Sequence, residues 1–115
     1  MASYGFVVPL LPGMTERDRQ FSAELSGPRK TEFEASRARL GITREQVWLQ
    51  ETPQGSMAVV YLEAEDMERV FADLASSQDP FDQWWRAQIL AIHGIDLTQP
   101  LPGPPNEQIL DLHRG

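Results

Sequence analysis

Proton-transfer chemistry in this chain depends first on His93, the one histidine that falls inside a predicted helix. It stands at the C-terminal end of that helix, one turn beyond Ile89. An imidazole facing a pocket there can act as a general acid, a general base or a haem ligand. Alternatively, it stabilises the negative end of the helix and caps its carbonyl oxygens. Both interpretations stay open, and His93 is the only candidate catalytic residue.

Large aromatic side chains are the candidate ligand contacts. Trp48, Tyr61 and Trp84 could line a pocket in which a planar molecule stacks. Aromatic residues also dominate the core of a small domain, and this is where we expect Trp85.

Two arginines are the candidate anion contacts. Arg29 and Arg37 flank Phe33 on the helical face that should meet the sheet. A guanidinium in that position can bind a carboxylate or phosphate group. Alternatively, the arginine stems lie on apolar surface and the heads pair with Glu32, Glu34 or acids of a partner chain.

Composition excludes several classes of function. The 115 residues include no cysteine, which rules out disulfides, zinc–thiolate sites, iron–sulfur clusters and thiol nucleophiles. There is also no glycine-rich phosphate loop, paired-histidine metal motif or nucleophile elbow, so no metal site is predicted. A net charge of −7 disfavours nucleic acid and anionic membranes. We therefore expect a cytoplasmic protein with neither as a partner.

Hydrophobic periodicity and turn residues predict one domain over residues 1–115. Helical character over residues 16–40 should be interrupted at Gly27-Pro28, since proline cannot continue a helix. A proline-rich extended segment, residues 97–105, should precede the last strand. The predicted strands are residues 4–11, 46–52, 57–63 and 108–113, and the later helices are residues 66–76 and 80–93.

This order of elements predicts an α+β, ferredoxin-like βαββαβ fold with a four-stranded antiparallel sheet and helices on one face. The strands carry apolar residues on both faces, as Val59 and Val60 illustrate. Since one layer of helices covers only one face, a second molecule should cover the other. The sequence therefore predicts a homodimer.

The chain resembles the dimeric α+β barrel superfamily in the stretches VVPLLPGMT, WLQETPQGSMAVVYLE, IHGIDLTQPLPGPP and ILDL. That superfamily includes EthD-like and stress-responsive barrel proteins and the antibiotic-biosynthesis and haem-degrading monooxygenases. The resemblance implies two sheets packed face to face and a pocket between sheet and helices. Trp84 and His93 resemble two residues of the haem-degrading members, but the first strand lacks their asparagine. No cofactor is predicted, and haem is the only one that the resemblance suggests.

Two hypotheses of function follow. In the first, a dimer binds or transforms a small aromatic or anionic molecule, with His93 moving protons, Arg37 holding an anionic group, and Trp48, Tyr61 and Trp84 stacking. In the second, the protein is a non-catalytic dimerisation or interaction module whose pocket is closed by side chains and whose proline-rich arm clasps the partner. A haem-binding or haem-degrading role is a third, weaker alternative.

Overall fold

A computed structural model describes residues 2–99 and 106–115. The predicted proline-rich segment 97–105 therefore lies mostly outside the described residues. The described elements, in chain order, are β1 (Ala2–Pro9), α1 (Thr15–Ser26), α2 (Lys30–Leu40), β2 (Ile42–Thr52), β3 (Gly55–Ala64), α3 (Met67–Ser76) and α4 (Pro80–His93).

The sheet has three antiparallel strands in the order β1-β3-β2. β2 and β3 form the predicted hairpin around Pro53-Gln54, and Val47 lies opposite Val60 in their register. β1 lies on the other side of β3, with Phe6 opposite Val60. The two strands joined by the short loop are thus neighbours, and β3 is the central strand.

The predicted four-stranded ferredoxin-like sheet is wrong. Residues 106–115 are exposed along their whole length and have no regular secondary structure, so the predicted strand 108–113 does not pair with the sheet. The predicted barrel architecture is therefore also wrong, because it requires four strands in each copy. The physical reason is that alternating apolar residues define two faces of a strand but do not supply a hydrogen-bonded neighbour.

The helix boundaries follow local chemistry. The predicted interruption at Gly27-Pro28 is confirmed, since α1 and α2 are separate helices on either side of it. At α4, the Asp79 carboxylate accepts a hydrogen bond from the Phe81 N–H at 2.9 Å, as an N-cap before proline should. Thr15, whose residue type suits a cap of α1, instead uses its hydroxyl to hydrogen-bond the Ser56 hydroxyl on β3 at 2.9 Å.

The helices cover one face of the sheet. Leu62 on β3 is buried against them, and its neighbour Tyr4 makes an edge-to-face contact with Phe71 of α3. The helical layer has an apolar core of its own at Phe21, Leu25, Phe81 and Ile92. Because side chains alternate along a strand, the residues between these inward positions form the opposite face, which no described helix covers.

Candidate functional site

A concave surface lies on the uncovered face of the sheet, which we call the open face. It is a recess of about 780 Å³, and it involves all three strands together with the segment after residue 105. The residues that line it are Tyr4, Gly5, Phe6, Val7, Trp48, Val59, Val60, Tyr61 and Asn106.

An apolar row crosses the open face from edge to edge. In the strand register, Val7 of β1 and Trp48 of β2 both lie opposite Val59 of the central strand. Residues directly opposite each other in a sheet project from the same face, so the three side chains form one continuous strip. Val7 is 54% exposed and Trp48 is 53% exposed, which leaves the strip in contact with solvent.

Gly5 forms the floor of the recess. It lies opposite Tyr61 in the register, one row beyond Val7 and Val59. Because glycine has no side chain, the sheet is depressed at this point between the Tyr61 ring and the apolar row. A glycine inside a strand commonly marks a close approach to the backbone, and this was the sequence signal that could have identified the recess.

Polar groups meet at one end of the open face. The Tyr61 hydroxyl donates a hydrogen bond to Glu63 Oε1 at 2.7 Å, and Arg44 lies opposite Glu63 in the register. That hydrogen bond is the largest cause of the raised pKa of Tyr61. The phenol therefore stays protonated near neutral pH, and because its single O–H is donated to Glu63, it offers a ligand its ring and its acceptor oxygen at the edge of the recess.

The described C-terminal segment starts at the recess. The Asn106 side-chain amide donates a hydrogen bond to the Gly5 carbonyl oxygen. This contact places Asn106 next to β1, although Asn106 and Gly5 are 101 positions apart in the sequence. Its role could not be predicted from sequence, because nothing in a single asparagine indicates which distant carbonyl it binds.

Two of the predicted ligand contacts come together here. Trp48 and Tyr61 both line the recess on the open face, whereas the predicted pocket was expected between the sheet and the helices. No charged side chain is among the described residues that line it. The lining side chains are therefore suited to contacts with apolar and aromatic groups.

Trp84 and Arg29 lie elsewhere, on the helical layer. The Arg29 guanidinium stacks 4.0 Å from the centre of the Trp84 ring, and the ring packs against Phe21 and Phe81. Arg29 also pairs with glutamates of its own and the preceding helix. Its donors are thus already engaged with protein groups.

Arg37 is buried, and its partners belong to the protein. It pairs with Glu45 of β2, with a distance of 2.8 Å between Arg37 Nε and Glu45 Oε1. Its guanidinium carbon lies 4.5 Å from the centre of the Trp85 ring and 4.6 Å from that of Phe33. The arrangement corresponds to the alternative in which the arginine head pairs with an acid, although the partner is Glu45 and not a helix neighbour.

His93 lies at the end of α4, where its Nδ1 atom is 3.0 Å from the Pro9 carbonyl oxygen. The nearby Asp18 residue on α1 is buried. Burial raises the pKa of the Asp18 carboxyl, and the attraction of His93 opposes that shift. The imidazole ties the end of α4 to the end of β1 and does not line the recess on the open face.

Trp84 and His93 do not form a haem site. They are nine positions apart on one helix, which puts them on roughly opposite faces and about 13.5 Å apart along the axis. The Trp84 ring is also in contact with the Arg29 guanidinium.

A buried polar network in the helical layer was not predicted. The Asp82 carboxylate on α4 accepts hydrogen bonds from the Ser36 hydroxyl at 2.5 Å and the Ser77 hydroxyl at 2.6 Å. Arg39 adds an ion pair at 3.4 Å. Burial alone would raise the pKa of Asp82, but these hydrogen bonds and the charge of Arg39 lower it overall. Every group is engaged with another, so the network stabilises helix packing.

No protein-family model matches the chain, and a search of the curated proteins finds no match either. Over residues 2–99 and 106–115, no group of three or more potential ligand side chains is arranged to hold a metal ion. Within the same ranges, no helix has the length and apolar character needed to cross a membrane.

Proposed function

We propose that this protein is a homodimeric binding protein, whose recess on the open face holds a small planar apolar molecule and is closed by the second copy. One observation carries the proposal. A concave surface of about 780 Å³ includes the side chains of Val7, Trp48, Val59 and Tyr61 on a sheet face that the described helices leave uncovered.

The chemistry of the lining indicates the class of ligand. Trp48 offers an indole face, and Val7 and Val59 offer aliphatic contacts along the same strip. Stacking on aromatic faces favours planar molecules. The Tyr61 O–H is donated to Glu63, so at the rim the phenol offers a ligand its oxygen as an acceptor, and a ligand with one donor atom at its edge fits better than a pure hydrocarbon. A volume of this size lies in the range of roughly 300–1,000 Å³ that is typical of small-molecule sites.

The second copy is proposed because the recess is open. A sheet whose two faces are both apolar needs cover on both sides, and a stable dimer needs only about 800 Å² per partner. A two-fold interface brings the same surface together twice, so it must complement itself. The open face meets that condition, since its apolar strip can pack on a second strip and its charged end has both an acid, Glu63, and a base, Arg44.

A second function is favoured by the large exposed area of apolar side chains on this face, with Val7 54% and Trp48 53% exposed. In this alternative the face is a pure dimerisation surface, and the partner's Trp48 fills the recess in place of a ligand. Both functions require the dimer, and they differ in whether the closed recess stays empty.

Sedimentation velocity over a concentration series tests the dimer. Val7→Gln and Trp48→Gln should each weaken dimer affinity at least tenfold, because each puts a polar group into the apolar strip. Leu90→Gln is the matched control, since Leu90 is a similarly exposed (48%) apolar residue on α4. A wild-type protein that stays monomeric at micromolar concentration, or an equal effect of Leu90→Gln, would overturn the proposal.

A thermal-shift screen with flavins and neutral planar aromatics tests the ligand. Stabilisation should rise with ligand concentration, disappear in Trp48→Gln and persist in Leu90→Gln. If the dimer forms and none of the planar probes stabilises it, the dimerisation surface is the correct function and the ligand site is not.

A further inference from the structure

The C-terminal segment, residues 106–115, exposes apolar side chains that its own copy does not cover. Ile109 is 88% exposed, Leu110 is 81% exposed and Leu112 is 79% exposed. Single exposed apolar residues are ordinary on protein surfaces. Three of them within four positions form an exposed apolar cluster, which is typical of an interaction site. We call this segment the C-terminal arm.

The outer edge of β1 lies beside the start of the arm. Within the described residues, β1 pairs with β3 alone, so its other edge has no strand beside it. The chain itself engages two carbonyl oxygens of β1, that of Gly5 through the Asn106 amide and that of Pro9 through the His93 imidazole, so the backbone groups of Ser3 and Val7 between and beyond them are the ones open to an arm. An uncovered strand edge is a template for pairing with another chain, and natural proteins usually protect it.

We infer that, in the dimer, the C-terminal arm of each copy docks along the β1 edge of the other copy. Leu110 and Leu112 of the arm then pack on the apolar side chains of the other copy's sheet. The inference rests on the homodimer proposed above and adds a second contact to it. It also assigns a role to the alternating residues 108–113, which pair with none of the described strands of their own chain.

The reach of the arm supports docking on the second copy. Ten extended residues span about 33 Å, compared with a longest dimension of 39 Å for the whole chain. The arm begins at the recess, on the face that the second copy covers in the proposed dimer. Leu110 and Leu112 are two positions apart, so they project from the same side of an extended arm, while Asp111 projects from the other.

Cross-linking between two different single-cysteine proteins tests this docking directly, since the natural chain has no cysteine. One protein carries Leu110→Cys, and the other carries Ser3→Cys or Pro9→Cys, one at each end of β1. The two are mixed, equilibrated and treated with a short bismaleimide, and one carries a mass tag. A link between tagged and untagged chains is expected with at least one β1 cysteine. Ala87→Cys, exposed on α4, is the control and should give little product.

The outcomes separate the arm from the dimer. A dimer that persists without cross-links above the Ala87→Cys control overturns the arm docking and leaves the proposed function intact. Arm docking between copies is also overturned if one chain carrying both Ser3→Cys and Leu110→Cys links only to itself at a concentration at which sedimentation shows the dimer. A monomeric wild-type protein overturns both proposals. As a second measurement, Leu110→Asp with Leu112→Asp should weaken dimer affinity at least tenfold and leave the helical circular dichroism unchanged, and an unchanged affinity would count against docking.

Discussion

Asp82 is a buried residue at which a change of a single atom should lower the free energy of unfolding substantially. We predict that Asp82→Asn, which keeps the shape of the side chain, lowers the free energy of unfolding by about 2 kcal/mol at neutral pH. The carboxylate is buried and accepts hydrogen bonds from the Ser36 and Ser77 hydroxyls at 2.5 and 2.6 Å. The amide can still accept one of these bonds, but without a charge.

The magnitude comes from the two hydroxyl contacts. A hydrogen bond to a charged group contributes about 1.5–3 kcal/mol, against about 0.5–1.5 kcal/mol for a neutral one, so losing the charge costs roughly 1 kcal/mol at each hydroxyl. The Arg39 guanidinium, which is about half exposed, adds only a few tenths of a kcal/mol.

Urea denaturation at several pH values measures the effect. The folded pKa of Asp82 lies below its ordinary value of 3.8. The ionised carboxylate therefore adds stability that is fully present well above about pH 4 and is lost as the pH falls through the folded pKa. The difference between wild type and Asp82→Asn should be largest near pH 7 and shrink toward pH 3.

Asp73→Asn is the control, because Asp73 forms an exposed ion pair with Arg69 on α3. It should change stability by no more than about 0.5 kcal/mol. An Asp82→Asn variant that loses no more stability than this control, or that loses the same amount at pH 3 as at pH 7, would refute the role given to the buried charge.

Two further predictions concern buried charge. Burial raises the pKa of Asp18 against the opposing attraction of His93, so the wild type loses stability as the pH rises through that folded pKa. Asp18→Asn should thus gain about 1 kcal/mol relative to wild type between pH 3 and pH 7 in urea denaturation, and a gain at low pH instead would contradict this. Arg37→Ala should cost about 3 kcal/mol in guanidinium denaturation, because it leaves the Glu45 carboxylate unpaired and nearly buried. Arg37→Met combined with Glu45→Met should recover most of that loss, and a double variant as unstable as Arg37→Ala would refute the explanation.

Local signals in the sequence were sufficient for most elements. The helix that starts at Asp79-Pro80 and ends at Gly94 follows from residue types whose backbone preferences act within a few positions, and it forms as predicted. The hairpin between β2 and β3 follows from alternation around a short polar loop, and it also forms. Such elements need no knowledge of distant contacts.

The failed prediction concerns a contact between distant parts of the chain. Residues 108–113 alternate like a strand, but whether they pair depends on a neighbour more than 100 positions earlier in sequence. The predicted site residues lie in separate parts of the structure for the same reason. Trp48 and Tyr61 meet because β2 and β3 are paired, whereas Trp84 and His93 share a helix and still lie on different sides of it.

Gly5 has a consequence for how this protein could change. A Cβ atom at that position would meet only the Val60 carbonyl oxygen, at an ordinary 3.8 Å, so the strand itself does not require a glycine. Valine there would suit an extended backbone better, and β1 would gain stability. It would also level the depression beneath the Tyr61 ring. At position 5, a side chain that stabilises β1 would make the recess shallower. The chain has glycine there, the residue that keeps the recess deep.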